Sequence, residues 1–412
     1  MISSMDRRFP STLILGLLLL FVPAPVVGGD EWHNWRGPNH DGRAPDTGVF
    51  GENFGLERAW KISLGAGYSG IVVSGGRLVT MFSDGKTDWV TALDAETGRE
   101  IWRYEIGAAF KGVQGANDGP RSTPVIDDRV VYALGPRGKL AALDLSDGRP
   151  IWATDLRSRF GSAPPGHGFT TSSAIEGDVL LVLSGGSRKR SIAGIDKKTG
   201  KTLWASLGYM IEYQSPVVMT LAGRRQVVVA DRNTVAGLDP ETGKVLWTRD
   251  IRGMGSGHSP QASHLDGNRF LIKFFESIAV FELKKTADGY ELQTLYRAKE
   301  FKKSHLPPIF HDGYLYGFNA KFLTCVNAAT GEQVWKSRPP QGRGMILVDD
   351  HLVIFADEGY VVVVQATPEG YKEKARVQVL ERDGLTWPSF ADGKLFVRSM
   401  EQIGAASIKE IE

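Results

Sequence analysis

The sequence lacks the features that mark disulfide-rich, nucleic-acid-binding or polytopic membrane proteins. A single cysteine, Cys325, allows no internal disulfide and no cysteine-rich zinc site. Lysine plus arginine (49) almost balance aspartate plus glutamate (47), and a net charge of +2 gives no electrostatic attraction to nucleic acid or anionic lipid. No segment has sustained helical periodicity, and no apolar run reaches the ~20 residues that cross a bilayer. We therefore expect no nucleic-acid partner and no membrane span.

The amino terminus has the pattern of an export signal. Arg7 and Arg8 precede an apolar core at 13–22, which prolines end and small residues follow. We interpret residues 1–29 as a signal peptide. No cysteine follows the apolar core to accept a lipid, so we expect a periplasmic or secreted protein that is soluble after signal-peptide cleavage. We also expect a monomer.

One phrase recurs along the rest of the chain. Asp94 is followed by Gly98 four residues later and by Trp102 eight residues later, and the same two spacings recur after Asp144, Asp196, Asp239 and Asn327. An aspartate that caps a turn, a glycine that takes positive φ and a strand that ends in tryptophan make a β-hairpin. Further hairpin turns lie between the phrases, so each repeat holds four short strands. Four strands in 40 to 50 residues are typical of a β-propeller blade.

The tryptophan spacing gives the number of blades. The interval from Trp247 to Trp335 is about twice the others, which places one more blade there, with Tyr296 in the tryptophan position. The residues after Trp335 supply one blade and three strands of another, and the strand around Trp60 completes it. We predict an all-β, eight-bladed propeller of four-stranded antiparallel blades over residues 55–412, closed by the N-terminal strand, with seven blades as the alternative. Residues 30–54 form an N-terminal extension.

These phrases resemble the PQQ-type repeat of the quinoprotein-like β-propellers. That superfamily includes quinoprotein dehydrogenases and the lipoprotein subunit of the outer-membrane barrel-assembly machine. The stretch from Trp32 to Gly42 also resembles the start of a group of exported bacterial PQQ-repeat proteins. The resemblance implies that the repeat tryptophans dock neighbouring blades, and that a cofactor, where one is bound, lies at one end of the central channel. Fold alone does not give function.

Candidate ligand-binding residues precede the first strand of each blade, where loops on a rigid ring converge at one mouth of the channel. Two blade-equivalent positions stand out, one with Arg121, Tyr213 and His305 and the next with Ser122, Thr171, Gln214, His258 and Thr386. The predicted channel-mouth set is Arg121, Ser122, His167, Thr171, Tyr213, Gln214, His258, His305, Arg343 and Trp387. The alternative is that these side chains only fill the narrowing channel with hydrogen bonds and water.

The sequence offers little for catalysis. Asp118, close to Arg121, is the best-placed candidate base, and no nucleophile elbow, phosphate-binding glycine loop or cysteine–histidine pair is present. Ring-opposed blades separate the loop histidines, so we expect no metal site.

Three functions remain open. The first is a non-catalytic binding or scaffold protein of the cell envelope, without a cofactor, whose partner is an envelope protein or a small ligand. The second is a PQQ-dependent dehydrogenase that oxidises an alcohol or sugar, with the quinone and Ca²⁺ at the channel mouth. Against it, the adjacent cysteine pair of alcohol-oxidising members and a haem-attachment sequence are both missing. The third is a polysaccharide-acting propeller enzyme.

Overall fold

The computed structural model describes residues 1, 31–45, 47–112, 118–186, 190–208, 213–257, 259–382 and 384–411. Apart from its first residue, the predicted signal peptide lies outside this range. The described residues form eight four-stranded antiparallel sheets arranged as an eight-bladed β-propeller. The prediction of fold class is confirmed, and the seven-bladed alternative is wrong.

Each blade runs from an innermost to an outermost strand in chain order, apart from the strand that closes the ring. The closing strand is β1 (Phe54–Ser63). Blade 1 holds β2 (Val72–Ser74), β3 (Arg77–Ser83), β4 (Thr87–Asp94) and β5 (Glu100–Ala108). Blade 2 holds β6 (Val125–Asp127), β7 (Val130–Leu134), β8 (Lys139–Asp144) and β9 (Pro150–Asp155), and a short helix, α1 (Leu156–Phe160), follows it. Blade 3 holds β10 (Ala174–Glu176), β11 (Val179–Gly186), β12 (Arg190–Asp196) and β13 (Thr202–Ser206). Blade 4 holds β14 (Val217–Leu221), β15 (Arg224–Ala230), β16 (Thr234–Leu238) and β17 (Val245–Asp250).

The second half of the ring repeats the same order. Blade 5 holds β18 (Gln261–His264), β19 (Arg269–Lys273), β20 (Ile278–Thr286) and β21 (Gly289–Ala298). Blade 6 holds β22 (Ile309–His311), β23 (Tyr314–Asn319), β24 (Phe322–Asn327) and β25 (Gln333–Ser337). Blade 7 holds β26 (Gly342–Val348), β27 (His351–Ala356), a 3₁₀ turn (Asp357–Gly359), β28 (Tyr360–Gln365) and β29 (Glu373–Gln378). Blade 8 holds β30 (Ser389–Ala391), β31 (Lys394–Arg398) and β32 (Gln402–Glu410).

The ring is sealed as the sequence predicts. Strand β1 pairs antiparallel with β32 along its length, from Phe54 opposite Glu410 to Ser63 opposite Gln402. The first strand of the propeller thus becomes the outermost strand of blade 8. This pairing gives the last blade its fourth strand and removes a free edge on β32.

The hydrophobic core lies between the blades. The middle strands are buried on both faces, so they read as continuous apolar runs, whereas the outermost strands alternate buried and exposed side chains. The repeat aromatics join neighbouring blades. Their polar N–H or O–H groups donate to backbone carbonyls in the turn of the next blade, with distances of 2.9–3.1 Å, for Trp60, Trp102, Trp152, Trp204, Tyr296 and Trp335. The exception is Trp247, whose indole donates to Gln226 Oε1 in its own blade at 2.6 Å.

The residues before β1 cross the central channel. We call 31–45 and 47–50 the axial segment. Trp32 pairs with Val73 on the innermost strand of blade 1, and the His33 carbonyl accepts from Ile126 of blade 2 at 2.9 Å. On the far side, Arg43 forms a parallel bridge with Leu347 of blade 7. The segment therefore lies across the channel near the end where the first two strands of each blade turn. Among the described residues, none of the helices has the length and apolar character needed to traverse a lipid bilayer.

Candidate functional site

A cavity of about 850 Å³ opens on the axis at the opposite end of the channel. The loops before each innermost strand and the loops between the second and third strands meet there, because antiparallel strands return both sets to one face. Trp35 of the axial segment is the floor. The walls are formed by Tyr68, Gly70, Arg121, Thr123, Thr170, Ser172, Tyr213, Ser215, Ser259, Gln261, Lys303, Ser304, His305, Leu306, Phe318, Ala320, Lys321, Gln341, Gly342, Arg343, Asp357, Leu385, Thr386 and Trp387. We call this the axial cavity, and its size falls within the ~300–1,000 Å³ that ligand sites occupy.

A belt of hydroxyl groups links the innermost strands around one side of the cavity. Gly70 N donates to Thr123 Oγ1 (3.2 Å), Thr123 N donates to Ser172 Oγ (2.9 Å), and Ser172 N donates to Ser215 Oγ (2.9 Å). The belt continues from Ser215 N to Gln261 Oε1 at 2.9 Å. Each bond crosses from one blade to the next, so the hydroxyl belt (Thr123, Ser172 and Ser215) fixes the positions of blades 1 to 5 around the axis.

Five of the predicted channel-mouth residues line the cavity together, namely Arg121, Tyr213, His305, Arg343 and Trp387. A sixth, His167, lies beside them, with its ring 5.3 Å from that of Tyr213. The Arg121 guanidinium lies 5.2 Å from the Tyr68 ring, and the His305 ring lies 4.8 Å from that of Phe275.

Three other predicted residues face into the blades rather than the cavity. Ser122 Oγ donates to the Leu134 carbonyl at 2.5 Å, and the Gln214 amide donates to the Ala230 carbonyl. Thr171 is also buried and is not among the lining residues. Extended backbone sends successive side chains to opposite sides. The residues before and after this position line the cavity in blades 2, 3 and 4. Thr386, the equivalent residue before blade 8, donates to the Arg398 carbonyl of its own blade and also lines the cavity.

The remaining two predicted residues do not contribute to the described cavity. Asp118 binds within its own loop, since Lys111 Nζ lies 2.8 Å from its carboxylate and Gly112 N donates to it at 2.9 Å. These hydrogen bonds hold the pKa of the Asp118 carboxyl below its usual value. His258 lies outside the described residues.

The charge on the cavity wall is strongly one-sided. Arg121, Lys303, Lys321 and Arg343 line it, while Asp357 is the only carboxylate among the described lining residues. Desolvation by burial, followed by the nearby charge of Lys273, lowers the pKa of His305 below its usual value, which favours the neutral imidazole.

Three further basic side chains are buried behind the wall. Arg36 stacks on Trp387, with its guanidinium carbon 4.7 Å from the ring centroid, and donates to Ser263 Oγ at 3.2 Å. Burial lowers its pKa to about 10. In blade 8, burial lowers the pKa of Arg398 to about 9, and in blade 5 burial lowers the pKa of Lys273 to about 7.

Part of this site was not predicted from the sequence. The hydroxyl belt lies one residue after the second predicted position, and the alternation of extended backbone is the signal that would have found it. Lys321 and Asp357 lie on loops between the second and third strands, which reach the same mouth by antiparallel geometry. Trp35 carries no local signal, because its place depends on contacts with blades far along the chain.

The chemistry of the lining side chains can be compared with what PQQ and Ca²⁺, the cofactors of the dehydrogenase alternative, would require. Lysines, arginines and hydroxyl groups suit the negative charges of a quinone carboxylate. Ca²⁺ instead requires several oxygen ligands, usually including carboxylates. Asp357 is the sole lining carboxylate in the described part of the chain, and no group of three or more His, Cys, Asp or Glu residues is placed to hold a metal there. The described residues therefore do not fit a calcium-bound quinone.

Comparison with known proteins gives one family. The family model described as "Outer membrane protein assembly factor BamB" matches residues 55–120 and 86–321. BamB of Kangiella koreensis is 28% identical over 155 residues, which are 36% of this chain and 34% of the relative. BamB of Legionella pneumophila is 41% identical over 76 residues, which are 17% of this chain and 18% of the relative. These alignments thus span about a third or less of the curated relatives' length.

Solved structures share the fold. BamB from Moraxella catarrhalis has a TM-score of 0.60 at 19% identity, covering 85% of this chain and 97% of that one. The quinohemoprotein alcohol dehydrogenase from Comamonas testosteroni has a TM-score of 0.67 at 13% identity, covering 92% of this chain and 80% of that one. At these identities the likeness concerns architecture alone. The family model covers more than half of the chain, and the protein belongs to the PQQ-repeat β-propeller family described as outer membrane protein assembly factor BamB.

Proposed function

We propose that the protein is an exported, non-catalytic binding or scaffold propeller of the cell envelope, with a single copy of the chain as the unit that binds its partner. The family match carries this proposal, because the matched relatives are named as outer membrane protein assembly factors. The site agrees with it. The only candidate base named from sequence, Asp118, is held in an ion pair with Lys111 away from the axial cavity.

The outer rim of the ring supplies a surface for a protein partner. On the outermost strands of most blades, the residue just before the repeat aromatic is an exposed aliphatic side chain, as at Ile101, Ile151, Leu203, Leu295 and Val334. Outermost strands also have one edge without a neighbouring strand in their blade. Exposed apolar side chains beside an open strand edge favour contact with another protein chain.

Affinity purification from cross-linked envelope extracts tests this function. The full chain, tagged at its carboxyl end, is expected to be found in the periplasmic fraction and to retain one specific envelope protein above a tag-only control. The double variant Ile151→Asp/Leu203→Asp is expected to lose that protein, whereas Lys285→Gln, on the outer hairpin of blade 5, is expected to retain it. A chain that remains cytoplasmic, or that retains nothing above the control, contradicts the proposal.

The dehydrogenase alternative is favoured by one observation, the cationic cavity at the channel mouth, and opposed by the shortage of carboxylates described above. Addition of PQQ and Ca²⁺ to the purified protein separates the two. An absorbance change and dye reduction with an alcohol or aldose would establish the dehydrogenase and overturn the non-catalytic role.

A further inference from the structure

One part of the cavity wall has a strained backbone. Residues 301–306, which we call the wall segment, connect the outermost strand of blade 5 to the innermost strand of blade 6. Four of its residues line the axial cavity, namely Lys303, Ser304, His305 and Leu306. Phe301 and Lys303 have φ values of +62° and +56°, which residues other than glycine rarely adopt. Such conformations persist only where the surrounding structure holds them.

A neighbouring turn of blade 5 holds the wall segment. This turn, residues 274–277, joins β19 to β20 and reaches the same mouth of the channel. The Phe275 carbonyl accepts from Lys303 N at 2.8 Å, and the Phe275 ring lies 4.8 Å from that of His305. The position of the wall segment therefore depends in part on the Phe275 carbonyl.

Lys273 anchors the same turn from inside the blade. It is the last residue of β19, and its side chain is completely buried. Its Nζ donates to the carbonyls of Phe274 and Phe275. The residues opposite it on the flanking strands, Gln261 and Ile278, are uncharged. The buried amine and the wall segment thus share one hydrogen-bond acceptor, the Phe275 carbonyl.

Charged groups act on Lys273 from its own turn and from the wall segment. Glu276 in the turn favours the protonated amine, but burial has the larger effect and lowers the pKa of Lys273 to about 7. In the wall segment, burial and then the charge of Lys273 lower the pKa of His305. The other charged residues of the wall segment are the exposed Lys302 and Lys303.

The remaining neighbouring elements carry charges that are paired or constant. Before β18, Arg252 is paired with Asp250. From the axial segment, Arg36 donates to Ser263 Oγ of β18 at 3.2 Å. The pKa of Arg36 is about 10, so it stays charged in the neutral range and its field does not change there.

The burial of Lys273 couples its protonation to the position of the wall segment. In an opened state that admits water to the amine, its pKa returns toward the higher, usual value. The opened state therefore binds the proton more tightly than the closed state, and protonation favours opening. The open population is expected to rise as the pH falls toward about 7 and to level off below it, where Lys273 is protonated in both states.

We propose that the wall segment is a pH-dependent lid of the axial cavity, which opens as the medium becomes more acidic because the buried amine of Lys273 then takes up a proton. Opening frees Lys303 N from the Phe275 carbonyl and relieves the left-handed backbone at Phe301 and Lys303. The lid does not involve the outer rim that the proposed scaffold function uses, so the two can succeed or fail independently.

Hydrogen exchange of the full chain, followed by mass spectrometry, tests the lid. After correction for the intrinsic exchange rate, opening of residues 301–306 is expected to be at least about tenfold greater at about pH 6.5 than at about pH 8.5. The backbone N–H of Tyr68, which donates to the Pro120 carbonyl at 2.8 Å on another part of the wall, is the internal control and is expected to show no such change.

Variants assign the pH dependence to Lys273. Lys273→Met keeps an apolar stem without a charge and is expected to leave residues 301–306 closed at every pH. Lys273→Arg stays charged and is expected to open them throughout. His305→Gln removes the other titrating group and is expected to keep the pH dependence. Circular dichroism checks the fold of each variant.

Three results would overturn the proposal. The first is exchange of residues 301–306 in the wild type that varies with pH no more than the control does. The second is a pH dependence that persists in Lys273→Met, and the third is its disappearance in His305→Gln. If a substitution at Lys273 prevents folding, the wild type and His305→Gln decide the question.

Discussion

The contact between the repeat aromatics and the repeat glycines predicts a stability effect that can be separated from backbone strain. Gly98, in the turn between β4 and β5 of blade 1, has a φ of +72°, and a Cβ added there would lie 2.6 Å from Trp60 Cε3. Gly98→Ala therefore combines a left-handed backbone penalty with displacement of the indole that docks blade 8 on blade 1. The two effects together are expected to lower the free energy of unfolding by about 2–5 kcal/mol.

Gly75 provides the matched control. It also has positive φ, +54°, but an added Cβ meets nothing within 4 Å. Gly75→Ala is expected to cost only the backbone part, about 1–2 kcal/mol. The difference between the two variants, about 1–3 kcal/mol, measures the aromatic contact.

A double-mutant cycle completes the experiment. In a Trp60→Ala background the indole is gone, so Gly98→Ala and Gly75→Ala are expected to cost the same. Denaturant unfolding followed by circular dichroism gives all the values. The reasoning is refuted if Gly98→Ala and Gly75→Ala lower the free energy of unfolding equally when Trp60 is present. It is also refuted if their difference remains after Trp60 has been replaced, because the difference would then not come from contact with the indole.

Further predictions concern a buried carboxyl, the axial segment and the closing contact of the ring. Asp88 is fully buried, and desolvation raises its pKa to about 6. Because the pKa is higher in the folded state than in the unfolded state, the protonated carboxyl stabilises the fold fully below about pH 4, and this contribution is lost as the pH rises through about 6. In urea unfolding between about pH 4.5 and 7.5, the wild type should therefore lose stability relative to Asp88→Asn. Asp349 accepts backbone N–H groups from Thr47 (2.7 Å) and Gly48 (3.1 Å), so Asp349→Ala should expose the axial segment to limited proteolysis, whereas Asp350→Ala, its exposed neighbour, should not. Loss of these bonds is expected to cost about 1–3 kcal/mol, and an unchanged cleavage pattern would contradict the anchoring role. Arg398→Met removes the hydrogen-bond donors to Gly65, Ser69 and Thr80 across the seam between blades 8 and 1. This variant should lower the denaturation midpoint while circular dichroism shows unchanged secondary structure. An unchanged midpoint would show that the seam does not depend on these bonds.

The repeat made the architecture predictable. Two fixed spacings, from aspartate to glycine and to tryptophan, specify a hairpin locally, and their number gives the blades without any knowledge of distant contacts. The closing strand could be predicted from the same count of strands, since the last repeat lacks one strand and the strand around Trp60 precedes the first complete repeat. Trp247 departs from the pattern because its indole is satisfied by Gln226 within its own blade.

The site was predicted only in part because its composition depends on both local alternation and distant packing. Arg121, Tyr213 and His305 could be found, since they hold one position in loops that must converge. At the next position the outcome is mixed, since Ser122 and Gln214 bond to their own blades and do not line the cavity, whereas Thr386 does line it. Nothing in the sequence around Arg36 or Arg398 shows that these charges are buried, because their environment is built by strands more than 200 residues away.

The pairing of β1 with β32 has a consequence for how the protein is made. The partner of β1 follows all the other described strands along the chain, so a nascent chain that does not yet include β32 leaves β1 and β31 each with an unmatched hydrogen-bonding edge. Such intermediates offer templates for aggregation and targets for proteases, and they persist until β32 has been synthesised. Only a chain that includes β32 can therefore cover the open edge of β1.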